Sequence, residues 1–479
     1  MPRSSEEVRA EVGHPIIDAD GHMLELLDAT HPHLREALGS ARFEAWLARG
    51  SITKLSQRPR TTDERRRTRT PQGAWWGTQT VNVRDRATAT LPALLHERME
   101  EIGLDFAVLY PTNTLLTPAE EDPELRAGLC AGFNAYYADV YGPFSDRLAP
   151  AGMIPMHTPG EAIAELEHCH RIGIKVVAFP EGLLRPLDEP AGPGCSPWLF
   201  PGQTHWFDSF GLDSAHDYDP VWATCERLGY AVTFHGGLTV RPGLHWSTTS
   251  YVANHVGQFA AEMYPLCKSL LFGGVTRRFP NLPFVFLECG VSWAVQMLGD
   301  TIEHWEKRNL EALDLLDPSR LDRDELGRYF RDYGGRLAEL LGDDPYRAVQ
   351  ALPIHGSRPE QPDEFHAMGV SGPADITARF DQCYFGCEAD DRGIVTAFLP
   401  SNPRGARLRP VFSSDMGHWD VTDIGGVVAE SHELVERGFL TEGQWREVVF
   451  DNPARMLTQT NPGFFDGTRV SEHRPAPTG

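Results

Sequence analysis

Ile16-Ile17-Asp18-Ala19-Asp20-Gly21-His22 is an apolar run that stops at side chains of metal-ligand type. Three later segments end in the same way: Ala231-Val232-Thr233-Phe234-His235, Phe284-Val285-Phe286-Leu287-Glu288 and Pro410-Val411-Phe412-Ser413-Ser414-Asp415. Each reads as a short buried β-strand with His, Asp or Glu at its mouth. When parallel strands close into a barrel, their C-terminal mouths lie together at one end, and residues hundreds of positions apart meet there. The four segments therefore predict an architecture together with a cation site at its open rim.

Around them, strand and helix patterns alternate. Strands are predicted at 14–20, 104–110, 148–154, 174–179, 230–235, 282–288, 382–385 and 409–414. Helical spacing covers 91–102, 123–141, 161–171, 219–228, 251–271, 291–310, 391–398, 427–437 and 444–457. Several strands are near-continuous apolar runs, as expected where both sheet faces are buried. Eight alternations predict an α/β fold, a (β/α)8 TIM barrel, over residues 14–466. Long insertions follow strands 1, 4 and 6, near 26–95, 183–218 and 311–378. Residues 1–13 read as a loose N-terminal arm and 467–479 as a disordered tail. The arginine-rich run at 58–69 reads as solvated surface. No internal repeat is visible.

Composition narrows the partners. The chain has 479 residues, 41% of them hydrophobic, and a formal charge of -23. That charge argues against nucleic acid and anionic membranes, and leaves a small molecule as the expected partner. No apolar stretch is long enough to span a membrane, and the polar start has no core for a signal peptide. The eight cysteines form no repeating framework. Cys383 and Cys387 are the closest pair, with no second pair to answer them, so the thiols read as reduced and buried in a cytoplasmic protein.

The strand mouths carry the chemistry. In an extended segment residues two apart share a side, so Asp20 and His22 project together. His235 is followed by Gly236-Gly237, which lets backbone approach a ligand closely. Glu288 ends a wholly apolar run, where an unpaired carboxylate is costly. Asp415 is followed by His418 and Asp420, and Glu388 ends the seventh strand. Each has an ordinary alternative: a capping Asp, a hydrogen-bonded core His, a Glu paired with a barrel Arg. Their joint occurrence at strand ends 1, 5, 6, 7 and 8 points to a metal centre. Carboxylate with imidazole and no thiolate suits Zn, Mn or Fe. Trp198, Phe200, Trp206 and Phe207 in the 183–218 insertion read either as an apolar substrate wall, with Trp206 and Glu388 as substrate contacts, or as satellite core.

These segments, with Arg278-Phe279-Pro280-Asn281-Leu282 and Asp451-Asn452-Pro453-Ala454-Arg455, resemble the amidohydrolase superfamily. The likeness is strongest to the amidohydrolase-related branch that includes aminocarboxymuconate-semialdehyde decarboxylase and the resorcylate decarboxylases. The resemblance implies the barrel and a divalent metal, one or two ions. The family's strand-1 His-x-His falls on Asp20 and His22, its strand-5 His on His235, and its strand-6 His on Glu288. The strand-8 Asp, ligand and proton shuttle in the family, falls on Asp415. Two imidazoles are thus replaced by carboxylates, which moves the expected metal from Zn toward Mn or Fe. Lys175 lies at the start of its strand, away from the place of the carboxylated Lys found in some members. The implied ligand set is Asp20, His22, His235, Glu288, Asp415 and His418, with Asp415 and His418 moving protons. The first expected activity is hydrolysis, in which metal-activated water attacks an ester, thioester or amide carbonyl. The alternatives are nonoxidative decarboxylation of a small aromatic or unsaturated acid, a dinuclear Fe/Mn oxygenase, and a metal-binding subunit of a hetero-oligomer. A homo-oligomer is expected, with a homologous partner subunit as the alternative.

Overall fold

The computed structural model describes residues 3–49, 61–73, 81–189, 192, 199, 201–237, 246–317, 320–342 and 363–473. Among the described residues there are ten strands: β1 (Ile17–Met23), β2 (Phe106–Pro111), β3 (Leu148–Met153), β4 (Val176–Pro180), β5 (Leu183–Pro186), β6 (His205–Asp208), β7 (Val232–His235), β8 (Phe284–Phe286), β9 (Cys383–Glu388) and β10 (Arg409–Ser413). Eight form one sheet in the order β1-β2-β3-β4-β7-β8-β9-β10, and β5 pairs with β6 in a separate antiparallel hairpin. Every neighbouring pair in the large sheet is parallel.

The last gap, between β10 and β1, is bridged at the rim. Asp415 N donates to Asp20 O at 3.1 Å, and His22 N donates to Met416 O at 2.8 Å. The Asp18 carboxylate fastens the same seam, accepting from Ser414 N at 3.0 Å and Ser414 Oγ at 2.5 Å. A bulge between Asp18 and Gly21 in β1 turns Asp18 to this seam, so the simple two-residue phase fails there. Gly417 has φ 99°, and a Cβ there would lie 2.7 Å from His22 O, so the loop after β10 can hug β1 only with glycine.

Alternation along the strands separates two layers. Phe179, Phe234, Phe286 and Phe385 form a ring girdle, with successive centroids 5.7–5.9 Å apart, under Trp222 and Trp293 of the outer helices. Their neighbours face the barrel interior. Thr233 donates to Val177 O at 2.6 Å and accepts from Tyr110 Oη at 3.0 Å. Tyr110 and Thr233 are fully buried and form the floor beneath His22 and His235.

Several boundaries differ from the sequence expectation. β9 runs on to Glu388. β8 stops at Phe286, because Glu288 leaves the extended region with φ 56°. The predicted 251–271 helix is broken at Gly257, φ 74°, into Tyr251–His255 and Gln258–Phe272. The 391–398 helix is a 3₁₀ segment, Arg392–Phe398.

Within the described residues, parts of the expected arm and tail pack against the barrel. Ser5–Glu11 is a helix with a Ser4/Glu7 capping box, and it buries Ser5 and Val8. In the tail, Val470 is fully buried, and Arg469 N donates to Asp146 O. Residues 474–479 lie outside the described residues, as do Trp198 and Phe200. The helix within the arginine-rich run, Thr62–Thr68, buries nothing. The seven described cysteines are unpaired and buried. Among the described residues no helix is long and apolar enough to cross a membrane.

Candidate metal centre

The strand mouths bring six predicted residues together. β1 supplies Asp20 and His22, β7 ends on His235, Glu288 follows β8, and Asp415 and His418 follow β10. All six are buried. Their ligand atoms fall into two overlapping groups. One comprises Asp20, His22 and His235; the other comprises His22, Glu288, Asp415 and His418. His22 Nε2 is 3.1 Å from His235 Nε2, 3.5 Å from Asp415 Oδ1 and 3.7 Å from Asp20 Oδ1. His235 Nε2 lies 3.3 Å from Glu288 Oε2, and His418 Nδ1 lies 2.6 Å from Asp415 Oδ1.

The imidazole tautomers are set from behind. His235 Nδ1 faces Gly236 O at 2.9 Å, and His22 hydrogen-bonds the Pro111 carbonyl. A ring N–H spent on a carbonyl leaves Nε2 as a bare acceptor. Two acceptors then face each other at 3.1 Å, a contact that needs a cation or proton between them. Burial first lowers the pKa of all three imidazoles: His235 to about 4, His418 to about 3, and His22 well below its ordinary value. They are therefore neutral, the form that ligates.

The carboxylates tell the same story. Asp20 Oδ1, Glu288 Oε2 and Asp415 Oδ1 are buried and accept no hydrogen bond among the described residues. Burial, then the charge of neighbouring carboxylates, raises all three well above the usual range. Glu288 and Asp415 also hold left-handed backbone, φ 56° and 51°. For a residue other than glycine that costs on the order of 1–3 kcal/mol and is typical of positions held for function. Orphaned buried oxygens, paired imidazole lone pairs and a donor set of oxygen and nitrogen fit a divalent cation.

Two cavities open onto this cluster. One, of about 610 Å³, is lined by Asp415, Glu388, Asp390, Asp420 and Glu430, with Arg3 among its walls. The other, of about 370 Å³, is lined by Glu288, Glu388, Asp391, His255 and Phe259. Glu388 borders both, and burial together with nearby Asp415 and Asp420 raises its pKa to about 8. Trp206 sits opposite Arg185 in the β5–β6 hairpin and lines neither cavity.

Sequence reasoning missed Glu25. This carboxylate is buried just beyond β1 and accepts from Thr112 N, Asn113 N, Thr114 N, Thr114 Oγ1 and Tyr137 Oη, at 2.6–3.2 Å. It fixes the loop after β2, which packs beside His22. The available signal was a Glu set between Leu24 and Leu26, directly after a buried strand.

The sequence has no match among curated proteins. Among solved structures, an amidohydrolase from Mycobacterium avium subsp. paratuberculosis K-10 is similar in fold. It shares 17% identity at TM-score 0.53, over 93% of this chain and 100% of that one. A 2,6-dihydroxybenzoate decarboxylase from Rhizobium aligns at 13% identity and TM-score 0.47, over 93% of this chain and 99% of the other. A 5-carboxyvanillate decarboxylase from Sphingomonas paucimobilis aligns at 12% and 0.45, over 92% and 98%. At such identities the likeness is one of fold. The family model described as amidohydrolase matches residues 87–344, more than half of the chain. With that match, an eight-stranded parallel barrel and a ligand cluster at its rim, the chain belongs to the amidohydrolase family.

Proposed function

We propose that this protein is a divalent-metal-dependent enzyme that removes a carboxyl group, without redox chemistry, from a small aromatic or unsaturated acid. Asp20, His22 and His235 would hold the cation, with Glu288, Asp415 and His418 completing the set or holding a second ion. A bound cation supplies a Lewis-acidic point that fixes a substrate carboxylate and its neighbouring oxygen. Carboxylates at two positions favour Mn or Fe over Zn.

One observation carries the choice of reaction. The charges acting most strongly on Asp20, Glu288 and Asp415 are one another's and those of Asp18, Glu388 and Asp420, all carboxylates. As neutral CO₂ leaves, the electron pair of the broken bond stays on the substrate carbon, and a carboxyl whose pKa is raised by burial and by neighbouring carboxylates is suited to quench it with a proton. Addition to a carbonyl builds an oxyanion there instead, and such a step relies on positive or N–H partners. In the proposed reaction Asp415 Oδ1 delivers a proton to the carbon that loses CO₂. The neutral His418 Nδ1, 2.6 Å away, accepts a hydrogen bond from the protonated Asp415 carboxyl and orients it, and solvent in the cavity that Asp415 lines replaces the spent proton.

Hydrolysis of an ester, thioester or amide is the second reading, favoured by the acidic cavity walls, which resist entry of an anion. There Asp415 and His418 would pass a proton from attacking water to the leaving group. Headspace CO₂ measured over Mn-loaded protein with a panel of hydroxybenzoates tests the first reading. Release that stops with chelator supports it. Cleavage of aryl esters or thioesters by the same preparation, with no CO₂ from any acid, overturns it in favour of the second.

A further inference from the structure

The two cavities over the metal cluster are walled by carboxylates that meet almost no positive charge. The larger carries Asp420, Asp423 and Glu430, the smaller carries Asp391, and Glu388 and Asp390 border both. Among the described residues Arg3 is the one arginine or lysine on either wall. Its guanidinium is taken up by Glu11 and Glu436, and it also meets His432 Nδ1 at 2.7 Å. The charges acting on Glu388 and Asp391 are those of further carboxylates.

Carboxylates gathered on a surface are by themselves ordinary solvated groups. The smaller cavity adds two features that point to a ligand. At its deep end stands Glu288, 7% exposed and with an oxygen that accepts no hydrogen bond among the described residues, so the cavity leads into the metal cluster. Facing the acids is a wall of His255, Val256 and Phe259. His255 stacks on Tyr251 with centroids 5.4 Å apart and meets Phe259 edge-on at 5.8 Å. Trp419, the residue after His418, packs against both Tyr251 and His255. Val256 is 74% exposed beside them. An organic ammonium group satisfies both walls at once. Carboxylates and aromatic rings attract its charge, and the apolar side chains cover its carbon atoms. A second anionic group would be repelled from the same place.

We propose that the substrate is an amino-substituted small acid whose carboxylate reaches the metal cluster while its protonated amine lies in the smaller cavity, between Asp390 and Asp391 on one side and His255 and Phe259 on the other. The carboxylate half rests on the decarboxylation proposed above. The ammonium half rests on these walls alone and holds for an amino ester as well. A zwitterion of this kind has no net charge, so acidic walls that resist a simple anion admit it.

Three ligands of one shape test this by calorimetry on the Mn-loaded protein: 4-(aminomethyl)benzoate, 4-(hydroxymethyl)benzoate and terephthalate. The ammonium compound should bind at least ~10-fold more tightly than the alcohol, and terephthalate more weakly than either. Added salt should narrow the gap. Asp390 is exposed, so Asp390→Asn leaves the fold intact. It should cut the preference at least ~3-fold with the alcohol's affinity unchanged. Equal affinities, tighter binding of the alcohol or terephthalate, no binding of the ammonium compound at millimolar concentration, or a preference that Asp390→Asn leaves intact would each overturn the proposal. Methyl 4-(aminomethyl)benzoate separates it from the assigned reaction. Cleavage of that ester, preferred over its hydroxymethyl counterpart and with no CO₂ from any acid, ends the decarboxylation reading and keeps the ammonium site. CO₂ from hydroxybenzoates with no ammonium preference keeps decarboxylation and removes the ammonium site.

Discussion

Two sets of buried carboxylates sit within one rim of this barrel, and they meet burial in opposite ways. Glu25 is surrounded by three backbone N–H groups and two hydroxyls, and its five hydrogen bonds take the place of water. Asp20, Glu288 and Asp415 are as deeply buried, yet each keeps an oxygen with no hydrogen-bond donor, and their nearest charges are further carboxylates. A carboxylate that the fold itself satisfies is a structural part. One that the fold buries and leaves open is stable only with something the chain does not supply. The useful distinction is therefore satisfaction rather than burial or residue type.

The sharpest way to break this comparison is at Asp415. Asp415→Asn removes the proton carrier while keeping shape, and turnover should fall by at least ~10³-fold in a steady-state assay of the metal-loaded enzyme. The fold should be retained by circular dichroism. Near-normal turnover would take Asp415 out of the reaction. Asp20→Asn should act on both sides of the comparison at once. Metal affinity, read by competition with a chromophoric chelator, should weaken ~100-fold. The chelator-treated protein should melt at a higher temperature than wild type, because a repelled buried charge has gone. Glu25→Gln should do the reverse. Putting an amide N–H₂ among donors should cost about 2 kcal/mol in denaturant unfolding. Elemental analysis should find metal stoichiometry unchanged. If Asp20→Asn and Glu25→Gln shift stability in the same direction, the distinction drawn between the two sets fails.

Legibility in the sequence follows the same line. Strand mouths with Asp20, His22, His235, Glu288 and Asp415 were readable because an apolar run ending in a ligand-type residue is a local pattern, and barrel closure is all that is needed to gather them. His418 was readable only by its nearness to Asp415 in the chain. Glu25 was not readable, because its donors come from 112–114 and from Tyr137, on other elements, and nothing near residue 25 announces them. The bulge in β1 was invisible for a similar reason. It exists to let Asp18 reach Ser414 across a seam between the first and last strands. The N-terminal helix was hidden by composition: Ser5–Glu11 is polar, and its order comes from the capping box and from Val8, which packs into the core. Trp206 drew notice as an aromatic in a long insertion, but its position was fixed by pairing with Arg185, which no spacing reveals.

Asp18 lies between the two sets and allows the finest test. One of its oxygens accepts from Asp20 N and Ser414 N, and the other from Ser414 Oγ, so it is better satisfied than Asp20 and less so than Glu25. Burial still raises its pKa to about 6. Ser414→Ala removes a single donor to Asp18 and also the acceptor that Ser414 Oγ offers to Met416 N. The expected loss is about 1 kcal/mol in denaturant unfolding, with metal stoichiometry unchanged, because the backbone bonds of the seam remain. If metal content drops along with that small loss of stability, the Asp18–Ser414 pair belongs with the open carboxylates, holding Asp415 in place for the cation. If stability alone falls, the pair is barrel closure, built on the same footing as Glu25 and its five donors.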